Sequence, residues 1–190
     1  EDFVSFNYGD LVNILVQDFE NEHNWFIESD ASAGFWELGI PNPSFEQGDI
    51  VQTDQDHTED GVQCYITGND EINQNSPGQA DVDGGSTTLY SEIYNLSTYA
   101  DVQVSYWRWY TNNLGNNPGN DIWNVQVTSD LENWVDLEYT NDSLINWVER
   151  RFVLSNYIDL TDQVQFRFIA SDEFNPGDNG SGGSLVEAAL

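Results

Sequence analysis

Acidic residues beside glycines form the first pattern with a recognisable chemistry. Asp81-Val-Asp83-Gly-Gly85 places two carboxylates two residues apart, before a turn that can fold its backbone around an ion. Asp56-His-Thr-Glu-Asp60-Gly61 matches the first half of a calcium loop, but its twelfth position is Thr67, which excludes an EF-hand. Calcium takes several oxygen ligands from carboxylates, carbonyls and amides. The two segments therefore predict at least one Ca²⁺ site.

Carboxylates near the two ends of the chain extend this prediction. Asp18 and Glu20 lie near the first expected strand, and Glu187 lies in the last. The first and last strands of a β-sandwich often lie side by side, so these three acids could join Asp81 and Asp83. Bringing several like charges together without a cation is costly, so their clustering would itself argue for a metal. The alternative is that they are solvated turn residues, because turns favour Asp and Gly.

Aromatic and planar polar side chains form a second pattern on three alternating segments. Side chains two residues apart in a strand share one face of the sheet. If the three segments are neighbours, one face combines Trp107, Trp109, Asn124, Gln126, Gln165 and Arg167. An indole stacks on the apolar face of a sugar ring while amides and a guanidinium bind its hydroxyls. This predicts a carbohydrate-binding face; the alternative is that the indoles pack under a loop or against a neighbouring domain.

No catalytic constellation accompanies these residues. Cys64 lies in an apolar segment and is expected to be a small core residue. The two histidines, His23 and His57, have no zinc spacing, and the chain has neither a nucleophile elbow nor a phosphate-binding loop. Accidental pairs among the 34 acidic residues leave a glycoside-hydrolase arrangement open. The sequence nevertheless favours a protein that is not an enzyme.

Period-two alternation dominates the segments that must position these residues, whereas helical periodicity is nearly absent. The one short helical signal is at 185–190. Trp123, Val125 and Val127 are expected to face inward, as are Val164, Phe166 and Phe168. Strands are predicted at Leu11–Phe19, Trp25–Ile27, Gln63–Thr67, Thr87–Tyr90, Val102–Tyr110, Ile122–Thr128, Trp134–Tyr139, Glu149–Val153 and Val164–Ile169. This pattern predicts an all-β fold, an antiparallel two-sheet β-sandwich of jelly-roll type. Residues 1–17 are expected to be a linker or the end of a preceding segment, and 18–190 a single domain.

The charge of the chain excludes several partners. With 34 Asp plus Glu against four arginines and no lysine, the formal net charge is -30. Such a surface repels phosphate backbones and anionic lipids, so nucleic acid is not an expected partner. No apolar stretch is long enough to span a membrane, so membrane insertion is not expected either. Strong acidity suits saline, calcium-rich surroundings outside the cell, where salt screens self-repulsion; the alternative is an acidic cytosolic protein.

Several segments resemble known families. Asp18-Phe-Glu20 followed by Trp25, together with Thr87–Ser91, resembles the MAM-type jelly-roll domains. Other segments resemble galactose-binding-like accessory domains at the C-terminus of secreted bacterial proteins, often peptidases: Gly34–Glu37 with Pro41, Asp56–Thr58, Gly61–Gly68, Asp81–Leu89, Arg167–Asp172 and Ser184–Ala189. The resemblance implies a non-catalytic accessory or adhesive module, stabilised by calcium, exported, and part of a longer polypeptide.

The sequence therefore predicts an extracellular or cell-surface attachment module with structural calcium. Its expected partners are a glycan or protein ligand and other domains of the same polypeptide. One alternative is a carbohydrate-binding module that uses the aromatic sheet face. Another is a subunit of an extracellular assembly, in which Trp and Tyr side chains are buried between copies of the chain.

Overall fold

A computed structural model describes residues 12–72, 75–76, 78, 80–115, 117–172 and 184–190. In chain order the strands are β1 (Phe26–Ser29), β2 (Trp36–Gly39), β3 (Ser44–Glu46), β4 (Asp49–Gln52), β5 (Cys64–Thr67), β6 (Gly85–Tyr90), β7 (Gln103–Thr111), β8 (Trp123–Thr128), β9 (Trp134–Thr140), β10 (Leu144–Val153), β11 (Gln165–Asp172) and β12 (Glu187–Ala189). A 3₁₀ helix spans Leu154–Asn156. No helix in the described ranges is long and apolar enough to cross a membrane.

The strands form two antiparallel five-stranded sheets and a small hairpin. The first sheet has the order β1-β6-β11-β8-β9, the second has the order β10-β7-β12-β5-β2, and β3 pairs with β4. The predicted all-β fold, an antiparallel two-sheet sandwich of jelly-roll type, is confirmed. The domain boundary expected between residues 17 and 18 stays a prediction.

The core lies between the two sheets and follows the predicted alternation. Trp123, Val125 and Val127 of β8 are buried against the opposite sheet, and Val164 and Phe168 are buried beside them. The predicted inward faces of these two segments are confirmed, because a sheet with one buried face needs apolar side chains at every second position. Cys64 is buried and free, as expected for a small core residue.

Two local predictions are wrong. Residues 12–19 form no strand, and the apolar side chains of Val12 and Val16 are exposed. Residues 40–61, where no strand was predicted, contain the β3–β4 hairpin. The last strand, on which Glu187 was expected, is confirmed as β12 at the centre of the second sheet, paired with β5 and β7, despite the short helical signal at 185–190. Tertiary pairing overrides helix propensity here, because so short a helix has no stability of its own.

The outer face of the second sheet is covered by the chain itself. Trp109 is only 6% exposed, and its indole N–H donates to the carbonyl of Val51 on β4 at 2.7 Å. Ile66 and Ala189 are buried in the same cluster. Further along, the His57 ring stacks on Trp107 with 3.7 Å between centroids. The hairpin and residues 53–57 therefore act as a cover over this sheet.

A buried ion pair joins the two sheets across the core. Glu138 of β9 accepts hydrogen bonds from Arg108 Nη2 at 2.9 Å and from Arg150 Nε at 2.7 Å, both from the second sheet. It also accepts from Tyr106 Oη at 2.7 Å and from Trp123 Nε1 at 3.0 Å. Arg108 is 0% exposed. A buried charge needs several such partners to offset its lost hydration, and Glu138 is where these donors converge.

Candidate functional site

The six residues predicted to form one ligand face lie on two different sheets. Trp107 and Trp109 are on β7 of the second sheet. Asn124 and Gln126 are on β8 of the first sheet, and Arg167 on β11 pairs with Gln126. Gln165 is also on β11, but it is buried and donates to the Ser91 carbonyl. The outer faces of two packed sheets point in opposite directions, so the prediction of a single surface is wrong. Its premise fails because β7 pairs with β10 and β12 rather than with β8 or β11.

The first-sheet half of that prediction belongs to a larger array. Five residues in register cross the whole width of the sheet, one from each strand, and we call them the transverse row: Phe26, Tyr90, Arg167, Gln126 and Asp136. Directly opposed residues in antiparallel strands lie on the same side of the sheet. The row faces away from the core, because the residues that alternate with it on β8, Val125 and Val127, are buried.

Direct contacts join the members of the transverse row. The rings of Phe26 and Tyr90 stack with 4.7 Å between centroids and an angle of 5°. The Arg167 guanidinium lies 4.2 Å from the centre of the Trp134 ring, and its Nε–H donates to Gln126 Oε1 at 2.6 Å. Gln126 Nε2 in turn donates to Asp136 Oδ1 at 2.7 Å. The polar groups are thus held in place before any ligand arrives.

A second row runs parallel to the first, two residues away along four of the strands and three residues away along β9. Its members are Glu28, Thr88, Ile169, Asn124 and Tyr139. Tyr139 is 61% exposed, compared with 46% for Phe26 at the opposite edge of the sheet. Asn124 Oδ1 is buried and accepts no hydrogen bond. We call the two rows together with Trp134 the open face.

The open face combines exposed aromatic rings with planar hydrogen-bonding groups. Apolar ring faces can stack on the C–H face of a pyranose, while amide, guanidinium and carboxylate groups bind its hydroxyls. Sequence reasoning identified Asn124, Gln126 and Arg167 but missed the rings of Phe26, Tyr90, Trp134 and Tyr139. The pairing of β9 with β8 shifts register opposite Val125 and Gln126 of β8. This shift places Tyr139 on the same face of the sheet as Asp136.

Three of the predicted metal ligands come together at one end of the sandwich. Asp81 is 2% exposed, Asp83 is buried beside it, and Glu187 of β12 is 0% exposed. Burial raises the pKa of Asp81 to about 8, with the charges of Asp83 and Asp172 adding to the shift. Burial, followed by the charge of Asp81, raises the pKa of Glu187 well above its usual range. We call these residues, with Asp172, the acidic end cluster.

Tight backbone packing places the acidic end cluster. The Val82 N–H donates to the Val186 carbonyl at 3.0 Å, and Asp83 forms a bridge with Ala33. Gly34 has a φ of 69°, and a β-carbon at Gly34 would overlap the backbone carbonyl of Asp81. Only glycine permits so close an approach. The segment that carries both aspartates is therefore held between residues 31–35 and the last strand.

The remaining predicted ligands lie in a second place. Glu20 Oε1 accepts from the backbone N–H groups of Val62 and Gln63 at 2.6 and 2.7 Å, which lowers the pKa of Glu20. Burial raises the pKa of Asp56, with a smaller contribution from the charge of Glu20. Asp18 caps the backbone N–H of Glu20, and Asp60 is exposed. The expectation that Asp18 and Glu20 join the Asp81 group has no support in these contacts.

The chemical groups of the acidic end cluster suit a cation. Asp81 Oδ1 is buried without a hydrogen-bond partner. The four arginines are engaged elsewhere: Arg108 and Arg150 on Glu138, Arg151 on Glu149, and Arg167 on Trp134. Within the described residues, however, no three His, Cys, Asp or Glu side chains surround one point as a ready coordination shell. An ion would therefore have to draw these carboxylates closer together.

Comparisons with known proteins leave the family open. No family model matches the chain, and no curated protein matches it. The MAM-like and accessory-domain resemblance therefore stays a prediction. Among solved structures, the chain is similar to one described as TmCBM61 in complex with β-1,4-galactotriose, with 14% sequence identity, a TM-score of 0.47, and 87% of each chain covered. The function proposed below depends on the geometry of this chain's own residues.

Proposed function

We propose that this chain is a non-catalytic carbohydrate-binding module whose ligand binds the open face. The observation that carries the proposal is the asymmetry of the sandwich. The chain covers the outer face of the second sheet with a hairpin and buries Trp109 beneath it. The outer face of the first sheet instead presents Phe26 and Tyr139 to solvent, beside the linked polar groups of the transverse row.

Attachment of a larger exported protein to its target is the role that such a module would have. Binding energy comes from rings that stack on sugar and from polar groups that are already oriented. Little side-chain entropy is therefore lost on binding. No covalent chemistry is required of any residue on the open face. The net charge of -30 suits saline surroundings outside the cell.

Truncating an exposed ring on the open face should weaken binding to polysaccharide. We expect Tyr139→Ala to weaken binding about tenfold, because a lost ring contact can be worth about 1.4 kcal/mol. Affinity electrophoresis against a panel of neutral polysaccharides measures the effect. The thermal midpoint of each variant shows whether the fold is retained.

Trp107→Ala is the matched control, because Trp107 is a partly exposed ring on the opposite sheet. It should bind as the unmodified protein does. Two results would overturn the proposal: no retardation by any polysaccharide in a broad panel, or loss of binding in Trp107→Ala with full binding in Tyr139→Ala. The second result would move the site to the β7 face.

We also propose that the acidic end cluster holds a structural Ca²⁺. Asp81, Asp83, Asp172 and Glu187 would supply carboxylate oxygens, the ligands that Ca²⁺ prefers. The observation that favours this is the burial of Asp81 and Glu187 among like charges, a costly arrangement without a counter-ion. The ion would supply positive charge and hold the 81–83 segment to the last strand. The test is the thermal midpoint with and without calcium.

A further inference from the structure

We infer that the ligand of the open face is an uncharged polysaccharide that lies across the strands, with several consecutive sugar residues along the transverse row. This inference rests on the proposed function and adds the class of glycan and its direction. It specifies that the open face binds an internal stretch of a glycan chain rather than a single terminal sugar, and a neutral chain rather than an acidic one.

The direction follows from the register of the sheet. The transverse row contains one residue from each of five strands, so it spans four strand spacings. At about 4.8 Å per spacing the row is roughly 19 Å long. Several linked pyranose rings are needed to span that distance. A single sugar would leave most of the pre-arranged groups unused.

The two ends of the open face indicate an internal stretch of chain. Phe26 lies on the edge strand β1 and Tyr139 on the edge strand β9, and these are among the more exposed side chains of the face. An enclosed pocket, which a terminal sugar would fill, has walls that bury the end of the ligand. Here exposed rings stand at both edges, so a glycan can enter at one edge and leave at the other.

The charges of the open face select against acidic glycans. Glu28 and Asp136 are carboxylates on the face, and Arg167 is its cation. The Arg167 charge is already engaged by the Trp134 ring and by Gln126. A uronate or sulfate group would be repelled by these carboxylates and by the net charge of -30. Carboxylates accept hydrogen bonds from sugar hydroxyls, so they suit an uncharged chain.

The hydrogen bonds within the row leave donors for hydroxyls. The contact with Gln126 uses only the Nε–H of Arg167, one of five guanidinium donors. The contact with Asp136 uses one of the two N–H groups of Gln126. Because these side chains fix one another, a glycan meets them with little loss of side-chain entropy. Such a row favours repeated, similar contacts with consecutive residues of a polymer.

A length series of neutral oligosaccharides tests the inference. Isothermal titration with cello-, xylo-, manno- and β-1,4-galacto-oligosaccharides of increasing length should show no measurable affinity for the monosaccharides. For the series that binds, affinity should rise with each added sugar and then level off. Phe26→Ala and Tyr139→Ala should each weaken binding of the longest oligomer about tenfold and change the shortest binding oligomer less. Trp107→Ala is the control and should follow the unmodified protein.

Oligogalacturonates of the same lengths, with calcium and with chelator, test the charge argument and should not bind. Binding of oligogalacturonates as tight as that of the neutral series, in either condition, would overturn the inference while leaving glycan binding intact. So would a monosaccharide that binds through the open face as tightly as the longest oligomer. Absence of binding to every oligosaccharide and polysaccharide would instead overturn the proposed function itself.

Discussion

Glu138→Gln should lower the free energy of unfolding by about 3–5 kcal/mol, the usual cost of removing one partner of a buried ion pair. The substitution keeps the shape of the side chain but removes the charge. Arg108 would then remain fully buried without its counter-ion, and Tyr106 and Trp123 would donate to a weaker acceptor. Urea denaturation followed by tryptophan fluorescence measures the change.

An exposed ion pair within β10 provides the control for Glu138. Glu149 pairs with Arg151 at 2.6 Å, but the Arg151 side chain is largely exposed. Glu149→Gln should therefore cost at most about 1 kcal/mol, as exposed pairs usually do. Equal costs for the two substitutions would contradict a stabilising role specific to the buried pair.

The contribution of Glu138 should also depend on pH in a defined direction. Burial raises its pKa, but the hydrogen bond and charge of Arg108, with help from Tyr106 and Arg150, bring the pKa below the ordinary value of 4.5. A carboxyl whose pKa is lower in the folded state stabilises the fold above the unfolded pKa and loses this contribution as pH falls through the folded pKa. The difference in unfolding free energy between the wild type and Glu138→Gln should therefore be constant at neutral pH and shrink in acid.

Removal of calcium should lower the thermal midpoint, and added calcium should restore it. A ligand that binds only the folded state stabilises it by about 2.7 kcal/mol at a hundred times its Kd. For a chain of this size that corresponds to a shift of roughly 5–10 °C. Differential scanning calorimetry in chelator, in Ca²⁺ and in Mg²⁺ measures it. An unchanged midpoint in excess chelator would contradict the proposal.

Two matched substitutions locate the calcium response. Asp81→Asn removes a ligand charge from the acidic end cluster and should abolish most of the response to calcium. In chelator the same variant should melt no lower than the wild type, because it also relieves repulsion among buried carboxylates. Asp56→Asn, in the second acidic group beside Glu20, should respond as the wild type does. The opposite pattern would place the ion near Glu20 and remove it from the acidic end cluster.

The two candidate sites differ in how far sequence could predict them. Asp81 and Asp83 are two residues apart, so one segment brings them to the same place wherever it lies in the fold. The open face is assembled from five strands, and its residues are distant in the chain. Alternation showed that Gln126 and Arg167 face outward, but it could not show that Phe26 and Tyr90 continue the same row.

The pattern of side chains alone determined the all-β class, the inward faces of β8 and β11 and the burial of Cys64. Period-two alternation is a local property of a half-buried strand, so it survives in any pairing. Only the tertiary structure decided which strands are neighbours, and hence that Trp107 and Trp109 lie on the opposite sheet from Arg167. It also decided that the hairpin covers Trp109 and that a register shift brings Tyr139 beside Asp136 on the open face. These outcomes depend on hydrogen bonding and packing between segments far apart in the chain. No short stretch of sequence therefore predicts them.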